Sequence, residues 1–126
     1  MKNIFTHIDE TLINALKEDI GSGDVTTAAL IPDDHVSEAL LIAKGDIVLA
    51  GLSVAERVFQ LVDDGLKFRA LKKEGSLVRK GSIIARIKGK TSSLLIAERV
   101  ALNILQRMSG IATLTNEYIK AVRGLK

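Results

Sequence analysis

Ala97-Glu98-Arg99-Val100-Ala101-Leu102-Asn103-Ile104-Leu105-Gln106-Arg107-Met108-Ser109-Gly110-Ile111-Ala112-Thr113 is the stretch on which the reading of this chain turns. At about 100° per residue from Leu94, the side chains of Leu94, Ala97, Ala101, Leu102, Ile104, Leu105 and Met108 cover one broad apolar arc. Arg99, Asn103 and Gln106, spaced by four and then three, fall on a narrow polar face. The pattern predicts an amphipathic helix over 92–108. A second helix is expected over 110–123, with Ser109-Gly110 as a break or kink between them and Gly124 as the stop. Glu98 is directed into the apolar arc, where an unpaired carboxylate is expensive. It reads either as a catalytic acid or as a structural carboxylate paired with arginine or backbone amides, and the second reading is the stronger.

Upstream, Thr6 and Asp9 suit the cap and first turn of a helix whose stripe is Ile8, Leu12, Leu16 and Ile20, with Ile13 beside it. Gly21 and Gly23 end it. Residues 36–43 are mostly apolar with a single charge at Glu38, which predicts a strand buried on both faces, and Gly45-Asp46 offers a hairpin turn back through Ile47. Ser53 and Glu56 have capping-box spacing ahead of a short helix, with Val54, Val58, Leu61 and Val62 as its buried face. Leu66, Phe68 and Ala70 alternate with Lys67 and Arg69, and Ile83, Ala85 and Ile87 alternate with Ile84, Arg86 and Lys88, as strands do. Glu74-Gly75 and Lys80-Gly81 mark turns around Leu77-Val78. The order helix, two strands, helix, several strands, two helices predicts an α+β domain with a small, mostly antiparallel sheet rather than a repeating βαβ unit.

Composition bounds the function. With 126 residues and 47% hydrophobic content the chain can bury a sizeable core. No apolar stretch approaches the roughly 20 residues that span a bilayer, and the first residues lack the apolar core of a signal peptide. A membrane partner is therefore not expected, and a cytoplasmic location is. The chain has no cysteine, which excludes disulfides and thiolate metal sites. The net charge of +3 is spread among acidic residues, and only 3% of residues are aromatic, so nucleic acid is not an expected partner.

Other chemistries find little support. In residues 18–27, Glu18, Asp19 and Asp24 would repel phosphate and no P-loop lysine follows. The calcium-loop spacing is also missing. A helix stop and turn is the better reading. His7 and His35 have no companion histidines, so no metal site is expected. No serine or cysteine sits in a nucleophile motif.

Four motifs carry a family resemblance. They are Glu18-Asp19-Ile20-Gly21-Ser22-Gly23-Asp24-Val25-Thr26-Thr27, the stretch 45–59 with Ala50-Gly51-Leu52 and Ala55-Glu56-Arg57-Val58-Phe59, the glycine-spaced stretch 74–89, and the helix string quoted above. In this order they resemble the amino-terminal domain and linking helices of the quinolinate phosphoribosyltransferases, or carboxylating nicotinate-nucleotide pyrophosphorylases. The resemblance implies an open-faced antiparallel β-sandwich of the α/β-hammerhead type with flanking helices. It divides the chain into a domain over 1–91 and helices over 92–126. The family's catalytic α/β barrel would begin about where these residues end, so the chain is expected to be the front half of an enzyme, without its barrel.

The parent reaction implied is the joining of quinolinate to phosphoribosyl pyrophosphate, giving nicotinate mononucleotide, pyrophosphate and carbon dioxide in NAD biosynthesis. Arg99 matches the family arginine that reaches across a homodimer interface to bind a quinolinate carboxylate in the partner's active site. Asn103 and Gln106 stand where they would orient Arg99 or line the site mouth, and a structural role suits both better. Mg²⁺ accompanies phosphoribosyl pyrophosphate in the parent, and no catalytic residue or cofactor site is implied in these 126 residues. They are expected to be inactive alone and to self-associate as a homodimer or higher homo-oligomer.

A paralogue of the same architecture with another substrate, such as the molybdenum-transport-associated relatives, is the nearest alternative. Residues 74–85 also resemble the hammerhead repeat of biotinyl and lipoyl carrier modules. Neither Lys44-Gly45-Asp46 nor Lys88-Gly89-Lys90 has the setting of a carrier lysine.

Overall fold

The computed structural model describes residues 2–20, 31–32 and 34–124, with side chains described from residue 8 onward. Among the described residues, three helices and five strands follow one another as α1 (Lys2–Asp19), β1 (Val36–Ile42), β2 (Ile47–Val48), α2 (Leu52–Val62), β3 (Lys67–Ala70), β4 (Leu77–Val78), β5 (Ile83–Lys90) and α3 (Thr91–Arg123). β1, β5 and β3 form one antiparallel sheet in that order, and β2 pairs with β4 in a second antiparallel ribbon. The α+β, antiparallel reading holds, and no barrel closes among the described residues.

Thr6 lies inside α1 rather than at its cap, because the helix already begins at Lys2. Leu12 and Leu16 are buried and Ile8 is half-buried, while Ile13 and Ile20 are exposed. The stop proposed at Gly21 and Gly23 lies outside the described residues.

β1 is not buried on both faces. Leu41 is buried, but Val36, Leu40 and Ile42 stand out on the opposite face. Among the described residues, helices cover only the other face of the sheet. A short apolar run has the same pattern in either setting, which is why the run alone misleads. β5 carries a bulge: Leu41 pairs with Ala85 and Ile42 with Ile83. Ile84 is the extra residue, so Ile84 and Ala85 are both buried although adjacent. Gly45-Asp46 does not join a hairpin, since β1 and β2 lie in different sheets. The Asp46 carboxylate instead accepts the Lys80 amide at 2.9 Å.

The start of α2 is held from a distance. Gly51 is its cap residue, in the left-handed region at φ 89°, and no side-chain capping bond comes from Ser53. Glu74 supplies it: its two carboxylate oxygens accept the amides of Gly51 at 2.8 Å and Leu52 at 2.9 Å. A carboxylate on these orphan amides does what the expected Ser53–Glu56 box would have done, and also suits the positive end of the helix. Leu52, Ala55, Val58 and Phe59 are buried, with Val54, Leu61 and Val62 at the margin of that face. Phe59 packs against Phe68 of β3 with ring centroids 5.9 Å apart. At the other end Asp63 accepts the Gly65 amide and the Ser93 hydroxyl. Those bonds, the amide first, hold its carboxyl below the usual carboxylate range.

α3 is one continuous helix, not two. Ser109 is buried, and its hydroxyl accepts the Ala50 amide at 3.0 Å and donates to the Ala50 carbonyl at 3.1 Å. One turn on, Thr113 accepts the Val48 amide at 2.9 Å and donates to the Ser109 carbonyl at 2.6 Å. Two helix hydroxyls four residues apart thus bond the backbone of Val48 in β2 and of Ala50 just after it. Gly110 costs a helix only about 1 kcal/mol against alanine, too little to break one anchored on both sides. The single core takes Leu94, Ala97, Val100, Ala101 and Leu105 from α3 together with residues of β1, β5, α1 and α2.

Candidate functional site

α1 and the first half of α3 leave a groove of about 900 Å³ between them. α3 presents Arg99, Asn103 and Gln106 to it, and α1 presents Ala15, Glu18 and Asp19. The three α3 residues are all exposed, while their helix neighbours Ala97, Val100, Ala101 and Leu105 are buried. The polar face expected from helical spacing is therefore the face on the groove.

Among the lining residues, three carboxylates (Glu18, Asp19, Glu98) stand against one guanidinium. Arg99 Nη1 lies 3.6 Å from Asp19 Oδ1. The arginine side chain keeps 61% of its exposure and the aspartate 15%, so α1 buries the anion and leaves the cation at the surface. Glu98 is half-buried and makes no hydrogen bond or ion pair among the described residues, so the pairing expected for it is not found there. The open side of the groove gives its carboxylate access to water. No hydrogen bond joins Asn103 or Gln106 to Arg99 among the described residues.

A smaller hollow of about 420 Å³ lies between α1 and α2. Arg57 crosses it with Nε and Nη2 donating to the two oxygens of Asp9 at 2.9 and 2.8 Å. This fork holds the Asp9 carboxyl below its ordinary range, through the hydrogen bonds first, and raises Arg57 further. A matched pair of this kind is satisfied internally and ties α1 to α2.

His35 is engaged at the start of α3. Its Nδ1 shares a hydrogen bond with Thr91 Oγ1 at 2.7 Å, and its carbonyl accepts the Thr91 amide, fastening the start of α3. The His7 side chain lies outside the described residues. No group of three or more His, Asp or Glu that could hold a metal occurs among the described residues, nor does a helix long and apolar enough to cross a membrane. The carrier-lysine geometry is missing too: Lys88 lies within β5, and Lys44 precedes a turn between strands of different sheets.

One cluster was not visible in the sequence. Lys67, Arg69, Arg86, Lys88 and Lys90 are all exposed residues of β3 and β5. Lys67 stands opposite Lys88 and Arg69 opposite Arg86, with Glu38 of β1 bonded to Arg86 at 3.0 Å. Their i, i+2 spacing was the available signal.

The comparisons with known proteins agree with this architecture. The family model described as quinolinate phosphoribosyl transferase, N-terminal domain, matches residues 24–109. Quinolinate phosphoribosyltransferase (decarboxylating) 1b of Nicotiana tabacum is 51% identical over 102 residues, which are 80% of this chain and 29% of that protein. The probable nicotinate-nucleotide pyrophosphorylase (carboxylating) of Synechocystis is 44% identical over 115 residues, 91% of this chain and 39% of the relative. The crystal structure of NadC from Streptococcus pyogenes superimposes with a TM-score of 0.84 at 42% identity, covering 92% of this chain and 42% of that one. The chain thus spans well under half the length of these relatives. On residues, fold and order of elements alike, it belongs to the quinolinate phosphoribosyltransferase family and corresponds to that family's N-terminal domain.

Proposed function

We propose that this chain is the amino-terminal domain of an enzyme that joins quinolinate to phosphoribosyl pyrophosphate, forming nicotinate mononucleotide with release of pyrophosphate and carbon dioxide. Its contributions are a homodimer interface and one substrate-binding arginine, Arg99, that serves the partner's active site. The observation that carries this reading is an exposed arginine on a groove-lining helix face in a domain of this family. Quinolinate is a planar dianion, and a guanidinium offers a fork of donors matched to a carboxylate that stays charged when partly desolvated.

The groove alone is a poor pocket for a dianion, with three carboxylates to one guanidinium. Arg99 needs further cations from another surface, which is what an arginine acting in trans would meet. In this reading Mg²⁺ arrives with phosphoribosyl pyrophosphate and finds its other ligands elsewhere in the enzyme. The 126 residues alone are accordingly expected to be inactive. The setting is cytoplasmic in this reading.

The test is complementation in the enzyme that carries this domain. A charged hydrogen bond to a carboxylate contributes about 1.5–3 kcal/mol, so Arg99→Ala should weaken quinolinate use roughly 10- to 100-fold at about 1.4 kcal/mol per decade. Use of phosphoribosyl pyrophosphate should change far less. Mixed with a variant inactivated in its barrel, the Arg99→Ala protein should regain activity in hybrid dimers. Random exchange makes half the dimers hybrid, each with one intact site of two, so recovery should approach roughly a quarter of wild type if sites are independent. No recovery, with subunit exchange confirmed by mass, would leave Arg99 a local residue.

A further inference from the structure

α1 and α3 meet at a contact that the reading above does not use. Asp19 is the last residue of α1, and its Oδ1 is 3.6 Å from Arg99 Nη1, eighty residues on in sequence. The two partners are unequal. Asp19 keeps 15% of its side-chain exposure and Arg99 keeps 61%. The carboxylate is the more buried member and the guanidinium the more exposed one.

An arginine on an exposed helix face has four side-chain torsions to order when a ligand arrives, and that entropy is lost from the affinity. A carboxylate already placed beside it removes part of the loss. The distance also fits such a role. At 3.6 Å the contact is longer than the 2.7–2.9 Å of a tight charge-assisted bond, so it biases the arginine without competing strongly for it. Exposed ion pairs of this kind are weak in any case. Asn103 and Gln106, on the same face, make no hydrogen bond to Arg99 among the described residues, and Glu98, the next residue back, is directed roughly 100° around the helix.

We propose that Asp19 is the positioning residue for Arg99, holding its guanidinium over the α1–α3 groove so that it meets a carboxylate ligand already aimed. This rests on Arg99 binding quinolinate as proposed above. It assigns to the carboxylate at the end of α1 a part in substrate affinity and none in the chemical step.

The test is a double-mutant cycle in the enzyme that carries this domain, with KM for quinolinate, KM for phosphoribosyl pyrophosphate and kcat measured separately. Asp19→Asn should raise the quinolinate KM roughly fivefold, which is about 1 kcal/mol at 1.4 kcal/mol per decade. Its kcat and phosphoribosyl pyrophosphate KM should stay within about twofold, and Asp19→Glu should recover part of the loss. In an Arg99→Ala background Asp19→Asn should cost nothing more in quinolinate KM, since the side chain it positions has gone. Losses that add would mean that Asp19 serves the fold alone, and would overturn the inference. So would an unchanged quinolinate KM in Asp19→Asn while Arg99→Ala raises it, an outcome that leaves the Arg99 reading standing. If Arg99→Ala itself changes nothing, the underlying reading fails instead.

Discussion

The two halves of α3 share one helix and little else. Over residues 91–109 it buries Leu94, Ala97, Val100, Ala101, Leu105 and Ser109. Over residues 110–123 none is fully buried: Ile111, Leu114 and Tyr118 are 68%, 69% and 70% exposed, with Ile119 and Val122 exposed beside them. Both halves carry apolar residues at helical spacing. The periodicity says which side of a helix is apolar, but not along what length another surface covers it. The first half is held by the core, whereas the second rests on backbone hydrogen bonds, the Thr113 contact and the turn before it. A free helix of that length is marginal in water. Its exposed apolar residues are those a partner surface would cover.

The widest expected separation between the halves is in what a leucine is worth. Leu94 is 3% exposed and Leu114 69%. Leu94→Ala should destabilise the chain by about 2–5 kcal/mol through lost burial and a residual cavity. Leu114→Ala should fall within about 0.5 kcal/mol, as surface substitutions do. Urea unfolding of the 126-residue chain at low concentration measures both. Equal losses would mean that the second half is packed in solution and that the contrast is false.

Ser109 sits at the junction, and its expected effect is the next in size. Its hydroxyl satisfies both the amide and the carbonyl of Ala50. Ser109→Ala leaves these partly buried groups unpaired, which costs about 1–3 kcal/mol. The Ala50 amide should also exchange with solvent faster than in the unmodified chain. Unchanged stability and protection at Ala50 would show that the junction does not depend on this bond.

What could be read from the sequence follows the range over which each feature acts. The polar face of Arg99, Asn103 and Gln106 depends only on 3.6-residue periodicity, and the structure exposes all three on one groove. The antiparallel α+β class followed from the order of elements. Features made by distant residues were hidden. The cap of α2 is Glu74, more than twenty residues downstream, while the local Ser53–Glu56 spacing suggested another. Asp19 beside Arg99 could not be inferred from either motif alone. The cations looked dispersed because two-residue spacing on two strands reads as scatter until the register puts Lys67 opposite Lys88 and Arg69 opposite Arg86. β1 was misread because a short apolar run does not say how many of its faces are covered.

The smallest effect bears most directly on whether α3 is one helix. If Ser109-Gly110 were a break, Gly110 would be there for a backbone shape that other residues resist, and Gly110→Ala would destabilise. The structure gives Gly110 no such shape. Its φ is not among the positive values, which belong to Gly51, Gly75, Gly81 and Gly89. A methyl group built on it meets nothing within 4 Å among the described residues. Gly51 shows the contrary case, with φ 89° and a built methyl only 2.6 Å from Met108 Sδ. At Gly110 only the helix preference and the entropy of the unfolded chain remain, and both favour alanine. Gly110→Ala should therefore stabilise the chain by about 0.5–1 kcal/mol, seen as a higher urea midpoint with the far-ultraviolet helix signal kept or slightly raised. A lower midpoint would restore the break that the dipeptide suggests. The two halves of α3 would then be separate helices, and the difference between them would reflect the backbone rather than what each half packs against.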